Sequence, residues 1–159
     1  FASDTRTSKN SWISRSKNSL IDSLYRRAAD VMNVDEAILT MARNAEEIQV
    51  VHYENNQRYE AHHDWGASQN HPNSRIFTML MYLTDQEDPP NGGETSFPKG
   101  GTGAGFKVKP KKGDAVLFYN LLEDGNGDDL SLHAALPVTH GEKWLANIWV
   151  SDPVKSLHD

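Results

Sequence analysis

The stretch EIQVVHYENNQRYEAHHD, residues 47–64, decides the fold of this chain, because the periodicity of the sequence changes here. Before it, residues 17–32 place their apolar side chains on one helical stripe: Leu20, Ile21, Leu24, Tyr25, Ala28, Val31 and Met32. From about Glu46 onward this helical period disappears, and short runs rich in β-branched and aromatic residues follow. The sequence therefore predicts helices first and strands afterwards.

Eight short strands are predicted beyond this change, with Gly- or Pro-containing turns between most of them. They are Glu47–Glu54, Tyr59–Asp64, Arg75–Thr84, Glu94–Phe97, Phe106–Lys109, Ala115–Tyr119, Ser131–Ala134 and Lys143–Val150. A second short helix is predicted at Asp35–Ala42, and irregular segments at Ala2–Asn10, Trp65–Ser74 and Leu122–Leu130. This order predicts a mainly β fold with N-terminal helices, arranged as a double-stranded β-helix or jelly roll.

The length of 159 residues fits one catalytic domain, 1–159, with helical support at 11–45 and a jelly-roll core at 46–150. No apolar run approaches the roughly 20 residues that a membrane-spanning helix needs. The net charge of −6 argues against a nucleic-acid partner, because binding to phosphates depends on an excess of Lys and Arg. The chain begins at Phe1, which favours a processed or trimmed product.

The motif His62-His63-Asp64 is the first candidate for chemistry. The two-residue period of a strand would point His62 and Asp64 to one face and His63 to the other. An imidazole and a carboxylate side by side form two-thirds of the facial triad of non-haem Fe(II) oxygenases. With 7 His and 13 Asp in 159 residues, roughly 0.6 His-x-Asp pairs are expected by chance, so the pair needs support. If the strand were bulged, His63 would face the metal instead.

The segment from His133 to Lys143 supplies that support. A turn at His140–Glu142 predicts a hairpin in which His133 completes the triad and Lys143 binds the distal carboxylate of a dicarboxylic cosubstrate. Alternation along the last strand places Lys143, Leu145, Asn147 and Trp149 on one face and Trp144, Ala146, Ile148 and Val150 on the other. The first face would carry the cosubstrate site.

Six blocks in this order closely resemble the catalytic domain of prolyl 4-hydroxylases: YEAHHDW, RIFTMLMYLTD, NGGETSFP, KPKKGDAVLFYNL, SLHAALPV and GEKWLANIWV. The resemblance runs from about Glu46 to Val150. The segment RTSKNSW and the helix after it are similar, more loosely, to the start of the domain in the algal and plant branch.

The resemblance implies an Fe(II)- and 2-oxoglutarate-dependent dioxygenase that hydroxylates peptidyl proline at C4 and releases succinate and CO₂, with O₂ as cosubstrate and ascorbate as reductant. It implies an endoplasmic reticulum or endomembrane lumen. Carried over residue by residue, it implies a metal site at His62, Asp64 and His133; 2-oxoglutarate contacts from Lys143, Tyr53, Thr95 and Trp149; and substrate contacts from Arg75, Tyr59 and Glu46. Glu47 is the alternative to Glu46 after a one-residue slip.

Two rival functions stay open. A related oxygenase acting on lysine or a free amino acid would carry the same metal and cosubstrate blocks. A jelly-roll binding module that has lost catalysis would keep the fold, and it would fail to decarboxylate 2-oxoglutarate with Fe(II).

Overall fold

A computed structural model of the protein describes residues 5–40, 44–66, 75–86 and 92–151. It contains one α-helix, α1 (Ser19–Met32), within this described part of the chain. The strands, in chain order, are β1 (Lys9–Ile13), β2 (Ile48–Tyr53), β3 (Tyr59–His62), β4 (Arg75–Tyr82), β5 (Thr95–Phe97), β6 (Phe106–Val108), β7 (Ala115–Tyr119), β8 (His133–Ala135) and β9 (Lys143–Ser151). Single 3-10 turns lie at Arg15–Lys17, Glu36–Ile38 and Asp129–Ser131. No helix in these ranges is long and apolar enough to cross a bilayer.

The strands form two antiparallel sheets. The larger has the order β1-β2-β9-β4-β7 and the smaller the order β3-β8-β5-β6. Side chains from both sheets line one pocket between them. The predicted mainly β jelly roll is confirmed, and all eight predicted strands form with their ends displaced by two residues at most.

Helix α1 is capped at both ends by asparagine residues. The Asn18 side chain accepts a hydrogen bond from the backbone N–H of Ile21, and Asn33 ends the helix in the left-handed region with φ of 54°. The buried face, which includes Tyr25 and Met32, packs on the outer side of the large sheet. The predicted stripe was too wide, because Leu20 and Val31 are 67% and 62% exposed.

The second predicted helix, Asp35–Ala42, is wrong over the residues that the structure describes, where only the 3-10 turn Glu36–Ile38 forms. Arg15 gives the physical reason, because its Nη1 donates to the backbone carbonyls of Glu36 and Leu39. Those carbonyls are acceptors that a continuing helix would need for its own N–H groups. Residues 41–43 lie outside the described residues.

Strand β9 is buried on both faces, and its predicted alternation is confirmed. Ala146, Ile148 and Val150 pack toward α1. Leu145, Asn147 and Trp149 line the pocket on the opposite face. The central strand thus joins the hydrophobic core to the candidate site.

Strand β1 was predicted as part of an irregular segment and an N-terminal helical support. Its residues KNSWI are mostly exposed and carry no clear alternation, yet they pair with β2 along their whole length. An edge strand with water on one side has little need for apolar residues.

The predicted hairpin between the His133 and Lys143 segments is wrong. Strand β8 pairs with β3 and β5 in the small sheet, whereas β9 pairs with β2 and β4 in the large one. Between them the chain crosses from one sheet to the other and forms an isolated bridge between Gly92 and Val138. His133 and Lys143 consequently lie on opposite sheets.

Candidate metal centre and cosubstrate pocket

Three ligand-type side chains converge at one end of the pocket. The ligand atoms of His62, Asp64 and His133 all lie within 4.8 Å of one another. His62 ends β3, Asp64 follows two residues later, and His133 begins β8, which pairs with β3 at this point. The strand predicted at Tyr59–Asp64 ends at His62. Asp64 therefore reaches the site through the chain that follows β3, and not only through the alternation of side chains along a strand.

Each of the two histidines is oriented by a backbone carbonyl. The Nδ1 of His62 lies 2.8 Å from the carbonyl oxygen of Glu60, and the Nδ1 of His133 lies 2.9 Å from that of Ser131. Because a carbonyl only accepts, Nδ1–H donates and the lone pair of Nε2 is left for a metal. Burial lowers the pKa of His133, which favours the neutral ring that a metal binds.

Asp64 is held by donors on one of its two oxygens. The Thr78 hydroxyl and the Trp149 indole N–H each donate to Oδ2 at 2.8 Å. Behind Thr78, the Asn120 amide donates to the Thr78 hydroxyl, also at 2.8 Å. Burial alone would raise the pKa of Asp64, but the His62 side chain, the charge of His133 and the Trp149 hydrogen bond outweigh it and hold the pKa well below its usual range.

Thr78 and Asn120 were not predicted as site residues. Both are buried, with 1% and 0% of their surfaces exposed. One signal for Thr78 was present in the sequence, since it is a lone hydroxyl inside the apolar run RIFTMLMY. Asn120 had no such signal, because its partner lies on another strand.

The donor set fits Fe(II). Two neutral imidazoles and one carboxylate are the ligands of the facial triad that leaves positions open for a cosubstrate and O₂. The Nε2 atoms of His62 and His133 lie 3.5 Å and 3.6 Å from the oxygens of Asp64. Ligands about 2.1 Å from a metal at right angles are about 3 Å apart, so a small inward movement completes the coordination.

The pocket lies between the two sheets and encloses about 410 Å³, a volume that includes space open to solvent. Its wall comes from both sheets and from the N-terminal segment. The lining includes the three candidate ligands and further polar or aromatic side chains: Arg6, Gln49, Tyr53, Tyr59, Thr95, Asn147 and Trp149.

Lys143 lies beyond the end of this pocket that is opposite the metal ligands. Its side chain is 0% exposed, and its Nζ donates to the backbone carbonyl of Gly93 at 2.6 Å. The Nζ also lies 5.5 Å and 5.7 Å from the ring centroids of Tyr53 and Tyr82. The charge of Glu94 acts on Lys143, but the two residues form no salt bridge in the ranges that the structure describes. Burial lowers its pKa to about 7.

Tyr53 and Thr95, which the resemblance assigns to the cosubstrate, both line the pocket. Tyr53 pairs with Lys143 in the register of β2 and β9 and is 3% exposed. Burial raises the pKa of Tyr53 to about 12, so its hydroxyl keeps its proton as a donor. The Tyr82 hydroxyl donates to the Thr95 hydroxyl at 2.8 Å. Tyr53 and Thr95 therefore place two hydroxyls in the wall of the pocket.

The three residues assigned to the substrate surround the metal end. Arg75 forms a two-pronged ion pair with Glu46, packs its guanidinium 4.0 Å from the ring centroid of Trp149, and has its Nη1 4.0 Å from Asp64. Glu46, not Glu47, is thus the carboxylate that meets Arg75. The Tyr59 ring stacks on His62 with centroids 3.7 Å apart.

Arg6 was not predicted as a site residue. It lines the pocket, donates to Gln49 at 3.1 Å and packs its guanidinium 4.7 Å from the ring centroid of Tyr59. Its segment, which precedes β1, reaches the site through an isolated bridge between Arg6 and Tyr59 that the sequence did not indicate.

The other histidines in the described residues do not join the triad. His63 turns away from it, with its Nε2 3.2 Å from Asp129. A register irregularity does occur in β3 between Tyr59 and His62, yet His62 still faces the metal position. His52 contacts Glu142 and stacks on Trp144. His71 and His158 lie outside the described residues.

Comparison with known proteins matches residues 48–151 to the 2OG-Fe(II) oxygenase superfamily. Prolyl 4-hydroxylase 1 of Arabidopsis thaliana is 39% identical over 97% of this chain and 56% of its own length. Probable prolyl 4-hydroxylase 9 of the same plant is 37% identical over 93% of this chain and 54% of its own length. The chain thus spans little more than half the length of these relatives.

A solved structure has the same fold. The viral collagen prolyl hydroxylase of Paramecium bursaria Chlorella virus-1, in its 2OG complex, superposes with a TM-score of 0.76 at 30% identity, over 92% of this chain and 79% of the viral one. The family match covers every strand from β2 to β9, and therefore all three candidate metal ligands and Lys143. The chain belongs to the 2OG-Fe(II) oxygenase superfamily, among its prolyl 4-hydroxylase-like members.

Proposed function

We propose that this chain is the catalytic domain of an Fe(II)- and 2-oxoglutarate-dependent dioxygenase that hydroxylates proline at C4 within a peptide. One observation carries the proposal: a candidate metal triad stands at one end of a pocket, and a fully buried lysine, which forms no salt bridge to a carboxylate among the described residues, lies beyond the other. A cation buried in this way is costly until an anion joins it. A dicarboxylate that chelates the metal at one end and reaches Lys143 at the other meets both requirements.

The overall reaction consumes the peptide, O₂ and 2-oxoglutarate, and it yields the hydroxylated peptide, succinate and CO₂. Bound Fe(II) would supply the activation of O₂ that couples oxidative decarboxylation of 2-oxoglutarate to insertion of one oxygen atom into the C–H bond. His62, Asp64 and His133 would hold the metal on one face. Ascorbate is part of the proposal as the reductant that keeps the metal ferrous.

The chain's own residues would bind and orient the cosubstrate. The Lys143 ammonium would pair with the distal carboxylate, and the Tyr53 and Thr95 hydroxyls would contact it. Trp149 would act through Asp64, because its indole N–H is already donated to Oδ2 of that carboxylate. The apolar wall that includes Leu80 and Leu145 excludes water from the middle of the pocket.

The peptide would lie over the metal end. Glu46 neutralises Arg75 and keeps its guanidinium against Trp149, beside the target position. Tyr59, stacked on His62, would form the opposite side of the mouth. Proline as the target rests on the similarity to plant and viral prolyl hydroxylases.

A panel of proline-, lysine- and glycine-rich peptides and of free amino acids, incubated with Fe(II), ascorbate and 2-oxoglutarate, tests the proposal. We expect one succinate for each oxygen atom added, with the hydroxyl located at C4 of proline by mass spectrometry and NMR. Hydroxylation confined to lysine or to a free amino acid would replace proline as the target. Failure to decarboxylate 2-oxoglutarate with any substrate would indicate the non-catalytic binding module.

A further inference from the structure

An exposed tryptophan lies beside the metal end of the pocket, on the strand that the sequence did not indicate. Trp12 of β1 has 47% of its surface exposed. A single exposed tryptophan needs no special explanation. The neighbours of this one connect it to the metal site.

Trp12 continues an aromatic surface that starts at the metal carboxylate. Its ring centroid lies 5.8 Å from that of Trp149, with the two planes inclined by 44°. Trp149 in turn donates its indole N–H to Asp64 at 2.8 Å and carries the guanidinium of Arg75 at 4.0 Å. The surface therefore runs from a candidate metal ligand to solvent at the edge of the large sheet.

Amide side chains lie next to this surface on the same face of the sheet. Gln49 pairs with Trp12 across β1 and β2, and Asn147 pairs with Gln49 across β2 and β9. Asn147 is 8% exposed, lines the pocket and has an Oδ1 without a hydrogen-bond partner. A buried amide oxygen left unpaired costs free energy until a donor reaches it. A peptide N–H crossing the pocket mouth is such a donor.

We propose that Trp12 and Trp149 form one wall of the peptide groove, and that Trp12 selects a proline one polyproline II turn away from the target proline. This inference rests on the proposed function. Polyproline II has three residues per turn and advances about 9 Å in that turn, so residues three apart lie on the same face. Trp12 lies one aromatic side chain farther from Asp64 than Trp149 does, because its ring contacts Trp149 and the Trp149 indole N–H donates to Asp64. Grooves lined by aromatic rings recognise proline-rich peptides in this conformation.

The test pairs protein variants with peptide variants. Peptides carry one target proline, with proline or alanine three positions before it and three positions after it. They are assayed with wild-type protein, Trp12→Ala and Trp12→Phe. Tyr119→Ala is the matched control, because Tyr119 is an exposed aromatic residue at the opposite edge of the same sheet. Turnover at the target position is measured by mass spectrometry.

We expect Trp12→Ala to raise the KM for the proline-flanked peptide about fivefold, the effect of one aromatic contact, with kcat and the KM for 2-oxoglutarate unchanged. Trp12→Phe should stay within about twofold of wild type. Replacing the proline at one of the two flanking positions should raise the wild-type KM by a similar factor and leave the KM of Trp12→Ala unchanged, because the two substitutions remove the same contact.

The inference would be overturned if, at both flanking positions, the proline-to-alanine replacement in the peptide raised the KM of Trp12→Ala by the same factor as that of wild type. A KM for Trp12→Ala equal to that of wild type would also overturn it. An equal rise in KM for Tyr119→Ala would also overturn it, since that points to a general loss of order. If wild-type protein hydroxylates no peptide, the proposed function fails first, and the two failures are thereby distinguished.

Discussion

The buried lysine leads to a strong dependence of 2-oxoglutarate binding on pH. Lys143 is 0% exposed, and its pKa is lowered to about 7 by burial. Both carboxylates of 2-oxoglutarate are ionised throughout the range from pH 7 to pH 9, so Lys143 is the group that titrates. Only its ammonium form pairs with the distal carboxylate, and binding above pH 7 must therefore take up a proton.

The magnitude follows from the pKa. With a pKa of about 7, roughly a tenth of Lys143 is charged in the free protein at pH 8. The dissociation constant of 2-oxoglutarate should rise about fivefold from pH 7 to pH 8 and about ninefold from pH 8 to pH 9, or about 1.0 and 1.3 kcal/mol. At pH 8, binding should take up about 0.9 proton.

Isothermal titration calorimetry measures both quantities. Protein preloaded with Co(II), in the absence of O₂, is titrated with 2-oxoglutarate at pH 8 in buffers of low and high ionisation enthalpy. The slope of the binding enthalpy against the ionisation enthalpy of the buffer is the number of protons taken up. Lys143→Met is the matched control, because it removes the titrating group and should show no such uptake. A wild-type slope equal to that of Lys143→Met, with a dissociation constant unchanged from pH 7 to pH 9, would refute the reasoning.

Three further results are expected. His62→Ala and Asp64→Ala should abolish turnover and weaken Co(II) binding, seen in the absorption spectrum of the bound metal; a variant that keeps wild-type turnover would remove its residue from the metal site. Thr78→Val deletes a donor to Asp64 and leaves the Asn120 amide unpaired, so Co(II) affinity should fall about 10- to 100-fold while Thr78→Ser keeps it; equal affinities would contradict this positioning role. Because the folded pKa of Lys143 is below that of the unfolded chain, wild-type stability should rise with pH from about 7 to 10.5. Lys143→Met should therefore raise the melting temperature most below pH 7, and a gain independent of pH would contradict the assignment.

Local patterns in the sequence were sufficient for the elements that have a buried face. Helix α1, the eight strands from β2 to β9 and the inward alternation of β9 followed from periodicity and turn residues, because burial on one face imposes a period of 3.6 or 2. The predictions failed for two segments that burial of one face does not constrain in this way. Strand β1 is mostly exposed, and the predicted helix at Asp35–Ala42 is limited by Arg15, which donates to carbonyls more than twenty residues away.

The residues of the candidate site also fall into those that the sequence predicted and those that it did not. Its chemically distinctive residues, including His62 and Lys143, were accessible from motif and spacing together with the resemblance. The residues that support them were not accessible in this way: Thr78 lies on β4 and Asn120 directly after β7, and Arg6 reaches the site through its bridge to Tyr59. Nothing local in the chain marks a hydrogen bond between strands that are far apart in sequence.

By itself the sequence determined the fold class, the candidate metal ligands and the candidate anchor for a dicarboxylate. Only the tertiary structure decided that His133 and Lys143 stand on opposite sheets and not in one hairpin, and that Trp12 meets Trp149. The reason is that the spacing of apolar residues along the chain reflects which face of a helix or strand is buried. The distance between two residues across a pocket depends instead on how the strands pair and how the two sheets pack.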